Sequence, residues 1–273
     1  MQTQIRYYSD EVHDDFANTN IKAKPLPADF KYHSSNILVR LRSFVLYRII
    51  ATPAAFIYAK LIRGIKYVNK KCLKGYKNSG CFIYGNHTAF VCDAFNPTLL
   101  AFPRPAKVMV SEDSTSIKGI RWLLMDLGAL PIPSNLHLMP AFNAEIERAA
   151  EKKHWIAIYP EAHIWPYYTG IRQFPAVSFR YAVKLNTPVF AYTMTFQKRR
   201  FLPGPKITVY VDGPFLPDAS LPAKQAQKKL RDEVYAAMKA RADEHSTYEY
   251  RYKYVYRPTE EGDGPAQGDG DRA

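Results

Sequence analysis

Apolar and polar positions follow two different patterns along this chain, one before and one after residue 80. After it, short β-type runs alternate with segments of helical spacing, which is typical of an α/β domain. The runs are CFIY (81–84), KVMV (107–110), LPI (130–132), WIAIY (155–159), PVFAYTMTF (188–196) and KITVYVD (206–212). Helical spacing marks 136–153, 178–185 and 223–245. We therefore predict an α/β fold with a mixed, mostly parallel sheet that is covered by helices.

Before residue 80, apolar clusters alternate with single basic residues, as in ILVRLRSFVLYRII. The longest uncharged run, 49–59, has eleven residues, whereas a membrane-spanning helix needs about 20. Pro53 favours a break, because proline is tolerated in the first turn of a helix. We predict a pair of basic amphipathic helices within 35–78 that lie in a membrane interface. The alternative is a pair of helices that pack on the core and expose their charges.

The two ends of the chain differ from this central part. Residues 1–34 are polar and predict a loosely held arm, and the glycine-rich, acidic residues 258–273 predict a disordered tail. The main domain is therefore expected at 79–257. Near its end, tyrosines at alternate positions from 248 to 256 predict an extended strand with one aromatic face. That face belongs to a packed edge strand or, alternatively, to a headgroup boundary or a dimer contact.

The net charge of +13 is unevenly distributed. No acidic residue lies between Asp29 and Asp93, while ten lysines and arginines lie between Arg40 and Lys77. Such a stretch indicates an anionic partner, either nucleic acid or an acidic membrane surface. Cysteines without a CxxC spacing indicate a reducing compartment, and the polar first 30 residues do not resemble a signal peptide. We therefore expect a cytoplasmic location. The three cysteines are Cys72, Cys81 and Cys92.

A histidine and an aspartate follow the first strand run, within GNHTAFVCDAF (85–95). On one helix, six residues would place His87 and Asp93 about 240° apart, so the chain must turn between them. Asn96-Pro97 favours a helix that opens there, with asparagine as N-cap and proline as the first helical residue. Asp93 can then accept a hydrogen bond from one ring nitrogen of His87 and leave the other as a general base. The alternative is a loop histidine beside a capping aspartate.

Three other interpretations use some of the same features. Cys92 is a conceivable nucleophile with His87 as its base, although a free cysteine is more often a small buried residue. A metal site built from histidines and Asp93 lacks a compact ligand spacing. A non-enzymatic membrane-surface or nucleic-acid-binding protein explains the charge but not the histidine and aspartate after a strand. The histidines considered for the metal site are His87, His137, His154 and His163.

Together with YPE (159–161), GNHTAFVCD resembles the lysophosphatidic acid acyltransferases, also called the glycerolipid acyltransferase family. That family has an Asn-His sequence, an aspartate shortly after it, and a later Phe-Pro-Glu-Gly-Thr element. The resemblance covers about residues 80–215. It implies His87 as the general base, Asp93 as the acid that orients it, and Asn86 and Glu161 as substrate-binding residues.

The resemblance also implies the reaction. A fatty acyl group passes directly from an acyl thioester, on CoA or acyl carrier protein, to a hydroxyl of a lyso-glycerolipid. This chemistry belongs to phospholipid biosynthesis or remodelling and needs no bound cofactor and no metal. With the basic segment, it implies a peripheral protein at the cytoplasmic face of the cell membrane. Membrane lipids and an anionic bilayer surface are then the expected partners, rather than nucleic acid.

The chain departs from the family pattern and therefore resembles a divergent member. Five residues separate His87 from Asp93, where the family has four, and Ala162-His163 replaces the usual Gly-Thr. In LGALPIPSN (127–135), Ser134 or Asn135 stands where the family has an arginine that binds the acceptor phosphate.

Without that arginine, the resemblance does not determine the headgroup of the acceptor. It still predicts acyl transfer. Lys107, Arg121 or Arg172 is a candidate to supply the charge instead. Arg172 is favoured, because it lies beside the glutamate element in the sequence.

Overall fold

The computed structural model describes residues 5–11, 13–16, 24–116, 119–199, 204–248 and 251–254. Its strands are β1 (Ile5–Tyr8), β2 (Lys66–Val68), β3 (Cys81–Gly85), β4 (Ala106–Val110), β5 (Ala129–Pro131), β6 (Trp155–Ile158), β7 (Val189–Gln197), β8 (Lys206–Phe215) and β9 (Arg251–Tyr254). The helices are Ile37–Ile62, Phe90–Ala101, Arg121–Asp126, Met139–Glu151, Arg180–Lys184 and Ala223–His245. Short 3₁₀ turns cover Lys70–Tyr76, Asp113–Thr115, Leu136–Leu138 and Ala176–Phe179.

Seven strands form the central sheet, in the order β2-β8-β7-β3-β6-β4-β5. Neighbouring strands run parallel except for the hairpin β7–β8, which is antiparallel. Each of the six predicted runs overlaps one of these strands. The predicted mixed, mostly parallel sheet is therefore confirmed.

Helices cover both faces of this sheet. Phe82 and Tyr84 of β3 join the core under helices Met139–Glu151, Arg180–Lys184 and Ala223–His245. Ile83, between them, joins the opposite core, which includes residues of Phe90–Ala101. All of β3 is buried, as expected for an interior strand of a largely parallel sheet with two covered faces.

The predicted pair of amphipathic helices is one continuous helix, Ile37–Ile62, called the N-terminal helix below. Pro53 lies inside it, so the predicted break there is wrong. The preceding turn is a π-turn in which the Thr52 amide donates to the Tyr47 carbonyl, five residues back, and the Thr52 hydroxyl donates to the same oxygen at 2.7 Å. The wider turn accommodates the proline ring without ending the helix.

The N-terminal helix buries one narrow stripe and exposes most of its apolar side chains. Tyr47, Thr52, Ala55 and Ala59 are buried, roughly one turn apart. Its length and composition would allow it to cross a membrane, although core helices of soluble proteins can meet the same criterion. The exposed apolar residues are Ile37, Leu38, Leu41, Phe44, Val45, Ile49, Ile50, Phe56, Ile57, Leu61 and Ile62.

Two predicted boundaries need correction. The described residues of the arm predicted at 1–34 pack against the rest of the protein. Leu26 and Tyr32 are buried in the core, and β1 pairs in parallel with β9. Strand β2 falls within 35–78 but belongs to the central sheet through β8, and three residues are too few to show strand periodicity. β9 lies within the predicted tyrosine strand, whereas the predicted acidic tail lies outside the described residues.

Candidate active site

The residues of the predicted site meet at the carboxyl ends of β3, β6 and β7. His87 lies two residues after β3, and Glu161 lies three residues after β6. These strands are neighbours in the sheet, so the segments that follow them emerge side by side. In open α/β sheets this edge is where ligands bind.

The structure brings His87 and Asp93 into direct contact. His87 Nδ1 lies 2.8 Å from Asp93 Oδ2, and the two side chains are 25% and 3% exposed. Because a carboxylate accepts, Nδ1 carries the proton and Nε2 is left as an acceptor. Within the described residues no hydrogen bond reaches Nε2. Burial raises the pKa of Asp93, while the hydrogen bonds from His87 and the Ala89 amide lower it.

The extra residue between this histidine and aspartate is absorbed by the start of helix Phe90–Ala101. Ala89 is the N-cap, in an extended conformation. The Asp93 amide donates to the Ala89 carbonyl at 2.8 Å, and the Ala89 amide donates back to Asp93 Oδ2 at 2.9 Å. This reciprocal pair resembles a capping box. It fixes the carboxylate beneath the imidazole despite the longer spacing.

The prediction that this helix opens at Asn96-Pro97 is wrong. The helix begins at Phe90, and Pro97 lies inside it. Asn96 is fully buried and its side-chain oxygen accepts a hydrogen bond from the Tyr67 hydroxyl at 2.7 Å. An asparagine followed by a proline is a common helix start. Here the asparagine instead lies inside the helix, where its side chain accepts the hydrogen bond from Tyr67.

Tyr159 is a site residue that sequence reasoning passed over. Proline has no amide hydrogen, so Pro97 leaves the carbonyl of Asp93, four residues earlier, without a helical partner. The Tyr159 hydroxyl donates to that carbonyl and accepts a hydrogen bond from the Tyr192 hydroxyl. Its ring stacks on His87 with centroids 4.6 Å apart. Burial raises the pKa of Tyr159 well above its usual range, so the hydroxyl remains a donor.

Two signals in the sequence could have identified this contact. The tyrosine stands where the family motif has a phenylalanine, and a proline follows Asp93 by four residues. A hydroxyl donor at one position and a freed carbonyl at the other are complementary.

Glu161 and Arg172 form a buried ion pair rather than an open substrate site. Arg172 Nη2 lies 3.2 Å from Glu161 Oε2, and the arginine side chain is 1% exposed. Glu161 also accepts from the Arg172 amide at 3.2 Å and from the His87 amide at 3.3 Å. Burial raises the pKa of Glu161, and the Arg172 charge lowers it. The pair therefore holds the backbone of His87, and the prediction that Arg172 binds a phosphate needs correction.

The Asn86 side chain also forms hydrogen bonds with the backbone. Its side chain donates to the Met194 carbonyl at 2.9 Å and accepts from the Met194 amide at 2.8 Å. This pairing extends the ladder between β3 and β7 by one side chain. Asn86 is buried, so it positions His87 and does not face a substrate as the resemblance implied.

Lys107 lies at the other end of the sheet. It is level with Ile156 of β6, which is level with Phe82 of β3. His87 lies five residues beyond Phe82, about 16 Å further along the strand direction. The prediction that Lys107 contributes to the substrate site is corrected accordingly: it lies near the amino ends of the strands.

The other interpretations of these residues lose support. Cys92 is buried, and burial raises the pKa of its thiol to about 11, which keeps it protonated and poorly nucleophilic. Within the described ranges, no group of three histidine, cysteine or acidic side chains could hold a metal. His154 lines a groove near Lys107, far from His87.

Comparisons with known proteins agree with this geometry. Residues 62–195 match the family model described as Acyltransferase. Among solved structures, the 1-acyl-sn-glycerophosphate (LPA) acyltransferase PlsC from Thermotoga maritima is similar, with a TM-score of 0.50 and 15% sequence identity. That match covers 74% of this chain and 86% of that one, and at this identity it shows a shared fold. No curated protein matches the chain in sequence.

The family match begins in the last turn of the N-terminal helix and ends within β7. It includes every residue of the His87 site described above. The purely non-enzymatic alternative is thereby excluded, and the resemblance carried by GNHTAFVCD and YPE is confirmed. Residues 62–195 are therefore an acyltransferase domain.

Proposed function

We propose that this protein transfers a fatty acyl group from an acyl thioester to a hydroxyl of a lyso-glycerolipid. One observation carries the proposal. In an acyltransferase domain, His87 Nδ1 is held by Asp93 at 2.8 Å, and the His87 side chain remains 25% exposed. This is the arrangement that a general base requires.

The geometry supports a direct transfer. His87 Nε2 takes the proton of the acceptor hydroxyl as its oxygen attacks the thioester carbonyl. The carbon–sulfur bond then breaks, the ester forms, and the imidazolium returns its proton to the departing thiolate. Asp93 holds the imidazole in the required tautomer and stabilises the imidazolium. A covalent acyl-enzyme is not needed, and the buried Cys92 thiol, with its raised pKa, is poorly suited to form one.

Of the three cations predicted from the sequence, Arg121 is the best placed for the acceptor headgroup. Its Nε donates to the Thr115 carbonyl at 3.0 Å, in the turn after β4. This turn leaves the carboxyl edge two strands from β3, or about 10 Å across the sheet. A guanidinium at this edge suits a phosphate-containing headgroup. Arg172 is already paired with Glu161, and Lys107 lies at the opposite edge.

The N-terminal helix suits a peripheral position at the cytoplasmic face of the membrane. Its exposed apolar side chains include Leu38, Leu41 and Leu61, while Tyr58 packs against Phe95 of helix Phe90–Ala101 with ring centroids 5.6 Å apart. Because the helix is packed along the domain, crossing a bilayer would take part of the domain with it. A helix that lies in the interface keeps this packing and immerses the apolar side chains.

Acyl transfer is tested with purified protein, radiolabelled acyl-CoA or acyl carrier protein, and a panel of lysolipids with different headgroups. His87→Ala should lower the rate by about 10²- to 10⁴-fold, the usual contribution of a general base. Asp93→Asn should cause a similar loss while the protein still folds. Exposed His137 provides the matched control, because its imidazole forms no hydrogen bond or ion pair among the described residues.

Undiminished transfer by His87→Ala would exclude the mechanism. The absence of transfer with every donor and lysolipid would exclude the proposed substrates. Arg121→Gln refines the acceptor: it should raise KM for anionic lysolipids and leave neutral ones unaffected. Equal effects on both kinds of lysolipid would contradict the role of Arg121.

A further inference from the structure

A wide groove opens at the amino ends of the strands, at the opposite end of the sheet from His87. It has a volume of about 1180 Å³ and lies between the N-terminal helix, helix Arg121–Asp126 and helix Met139–Glu151. Its floor includes Lys107 of β4 and His154, which precedes β6. We call it the amino-end groove.

The lining of this groove is strongly cationic. Seven lysine and arginine side chains contribute to it, against the two carboxylates Asp126 and Glu145. Asp126 is already bound by Arg42 Nε at 2.6 Å and by a serine hydroxyl. Glu145 accepts two hydrogen bonds from Arg148, at 2.7 and 2.6 Å, and lies 3.2 Å from a histidine nitrogen. Both carboxylates are therefore neutralised within the protein.

The two lysines near His154 have no such partner. Neither Lys107 nor Lys152 forms an ion pair within the described part of the chain, and Lys107 is half-buried. The pKa of Lys107 is lowered, chiefly by burial. His154, on the same floor, has its pKa lowered to about 4 by burial and then by the charges of Lys107, Arg148 and Lys152. The carboxylates of Glu145 and Asp126 offset part of the charge on Lys107, but seven cations against two carboxylates leave the groove with an excess of positive charge.

The rim of the groove is apolar and exposed. Phe44 of the N-terminal helix is 56% exposed and Trp122 is 49% exposed. The Arg42 guanidinium lies over the Trp122 ring at 4.9 Å. Tryptophan and arginine together are typical of a membrane interface. The rim continues onto the exposed apolar face of the N-terminal helix, so one ligand could contact the cationic floor and the apolar surface at once.

We propose that the amino-end groove binds the phosphate of an anionic phospholipid at the membrane surface, at a site separate from the catalytic centre. Charge complementarity selects phosphate, and the apolar rim beside the N-terminal helix selects a lipid rather than a soluble phosphate. Binding there would hold the domain on an anionic leaflet while the carboxyl edge stays open to substrates. This site depends on Lys107 and Lys152 and not on His87.

The test is flotation of the full chain with vesicles of phosphatidylcholine alone and of phosphatidylcholine mixed with phosphatidylglycerol. The variant Lys107→Met/Lys152→Met should lose about 30-fold in affinity for the mixed vesicles, since each basic residue contributes about fivefold near an anionic surface. The matched control is Lys224→Met/Lys228→Met, which removes two exposed charges from helix Ala223–His245. It should lose less than about threefold.

Three outcomes would overturn the proposal. Equal losses in the two double variants would indicate general attraction without a site. Calorimetric binding of inorganic phosphate as tight as that of the mixed vesicles would indicate a soluble ligand. An unchanged affinity in Lys107→Met/Lys152→Met would exclude the groove. Because Lys107 is half-buried, Lys152→Met alone and a melting curve distinguish lost binding from lost folding.

One more measurement separates this site from the proposed catalytic function. His87→Ala should bind the mixed vesicles as the wild type does, whatever its activity. In the wild type, the imidazole resonances of His154 should titrate at a higher pH when short-chain phosphatidylglycerol is bound, because the phosphate cancels the surrounding positive charge. An unmoved titration would contradict a phosphate beside Lys107 and Lys152.

Discussion

The charged side chains at the two ends of the central sheet differ in how far they are paired with opposite charges. At the carboxyl end, Arg172 and Glu161 neutralise each other in a buried pair, and Asp93 is held by His87 and its own helix start. At the amino end, Lys107 lies half-buried among further cations with no ion pair in the described chain. Both regions contain internal ion pairs, but only the amino end has many more cations than carboxylates.

This difference fits the two proposed roles, a general base at the carboxyl end and an anion site at the amino end. Proton transfer requires a base fixed within a fraction of an ångström, and paired charges and reciprocal hydrogen bonds supply that rigidity. Binding an anion requires the reverse, a positive charge that stays unsatisfied until the ligand arrives.

The largest expected contrast comes from removing one cation at each end. Arg172→Met leaves Glu161 buried and unpaired, so the free energy of unfolding should fall by about 3–5 kcal/mol. Lys107→Met removes a charge that already suffers from burial, so stability should stay the same or rise by up to about 1 kcal/mol. Urea unfolding of both variants measures this, and the double variant Glu161→Gln/Arg172→Met should recover much of the loss. Equal losses at the two ends would refute the contrast.

A smaller effect is expected at Tyr159. Tyr159→Phe keeps the ring that stacks on His87 but leaves the Asp93 carbonyl and the Tyr192 hydroxyl without a buried partner. The free energy of unfolding should fall by about 1–3 kcal/mol, and kcat should fall about tenfold with KM unchanged, because a displaced base loses rate.

Tyr84→Phe is the matched control for this change. It removes an equally buried hydroxyl, bound to the Ser178 carbonyl at 3.1 Å, on the other face of the sheet. It should lower stability without lowering kcat. If both variants keep full activity, Tyr159 has only a structural role.

The amino end should give the protein a sensitivity to acid. His154 has its pKa lowered from 6.5 to about 4, so the unfolded chain binds a proton in this range and the folded chain does not. Its contribution to stability is complete above about 6.5 and is lost as the pH falls towards about 4. The slope is at most about 1.4 kcal/mol per pH unit, and solvent screening in the groove reduces it.

Replacement by glutamine tests this assignment. His154→Gln should unfold in urea with a weaker pH dependence than the wild type over this range, while Lys107, Arg148, Lys152 and Glu145 still surround the position. An identical pH dependence in the two proteins would show that the acid sensitivity arises elsewhere.

The smallest effect concerns Ala162, at the carboxyl end. Its φ of 62° lies in the left-handed region, which costs a side-chain-bearing residue about 1–2 kcal/mol. Ala162→Gly should relieve that strain and, after the entropy that glycine loses on folding, raise the free energy of unfolding by about 0.5–1 kcal/mol.

The opposite sign is expected in a helix. Ala240 is exposed in Ala223–His245, and Ala240→Gly should cost about 1 kcal/mol. Thermal unfolding of the two variants compares them directly. A loss of stability in Ala162→Gly would show that the left-handed turn is not strained.

Much of the fold followed from local patterns. Period-two runs and short apolar runs marked all six predicted strands, and helical spacing marked Ala223–His245 at its observed ends. Local patterns failed where a proline was involved. Pro53 and Pro97 both lie inside helices. A π-turn accommodates Pro53, and the carbonyl that Pro97 leaves without a helical partner accepts a hydrogen bond from the Tyr159 hydroxyl.

The sequence by itself determined the α/β class, the candidate base and its acidic partner, and the cationic character of the chain. These depend on residue type and short spacing, which the chain carries locally. Only the tertiary structure decided which charges are paired. Arg172 and Lys107 are equivalent cations in the sequence. In the fold, Arg172 is buried in an ion pair with Glu161, whereas Lys107 lines a groove. That outcome depends on strand order and register, which bring together residues far apart in the chain.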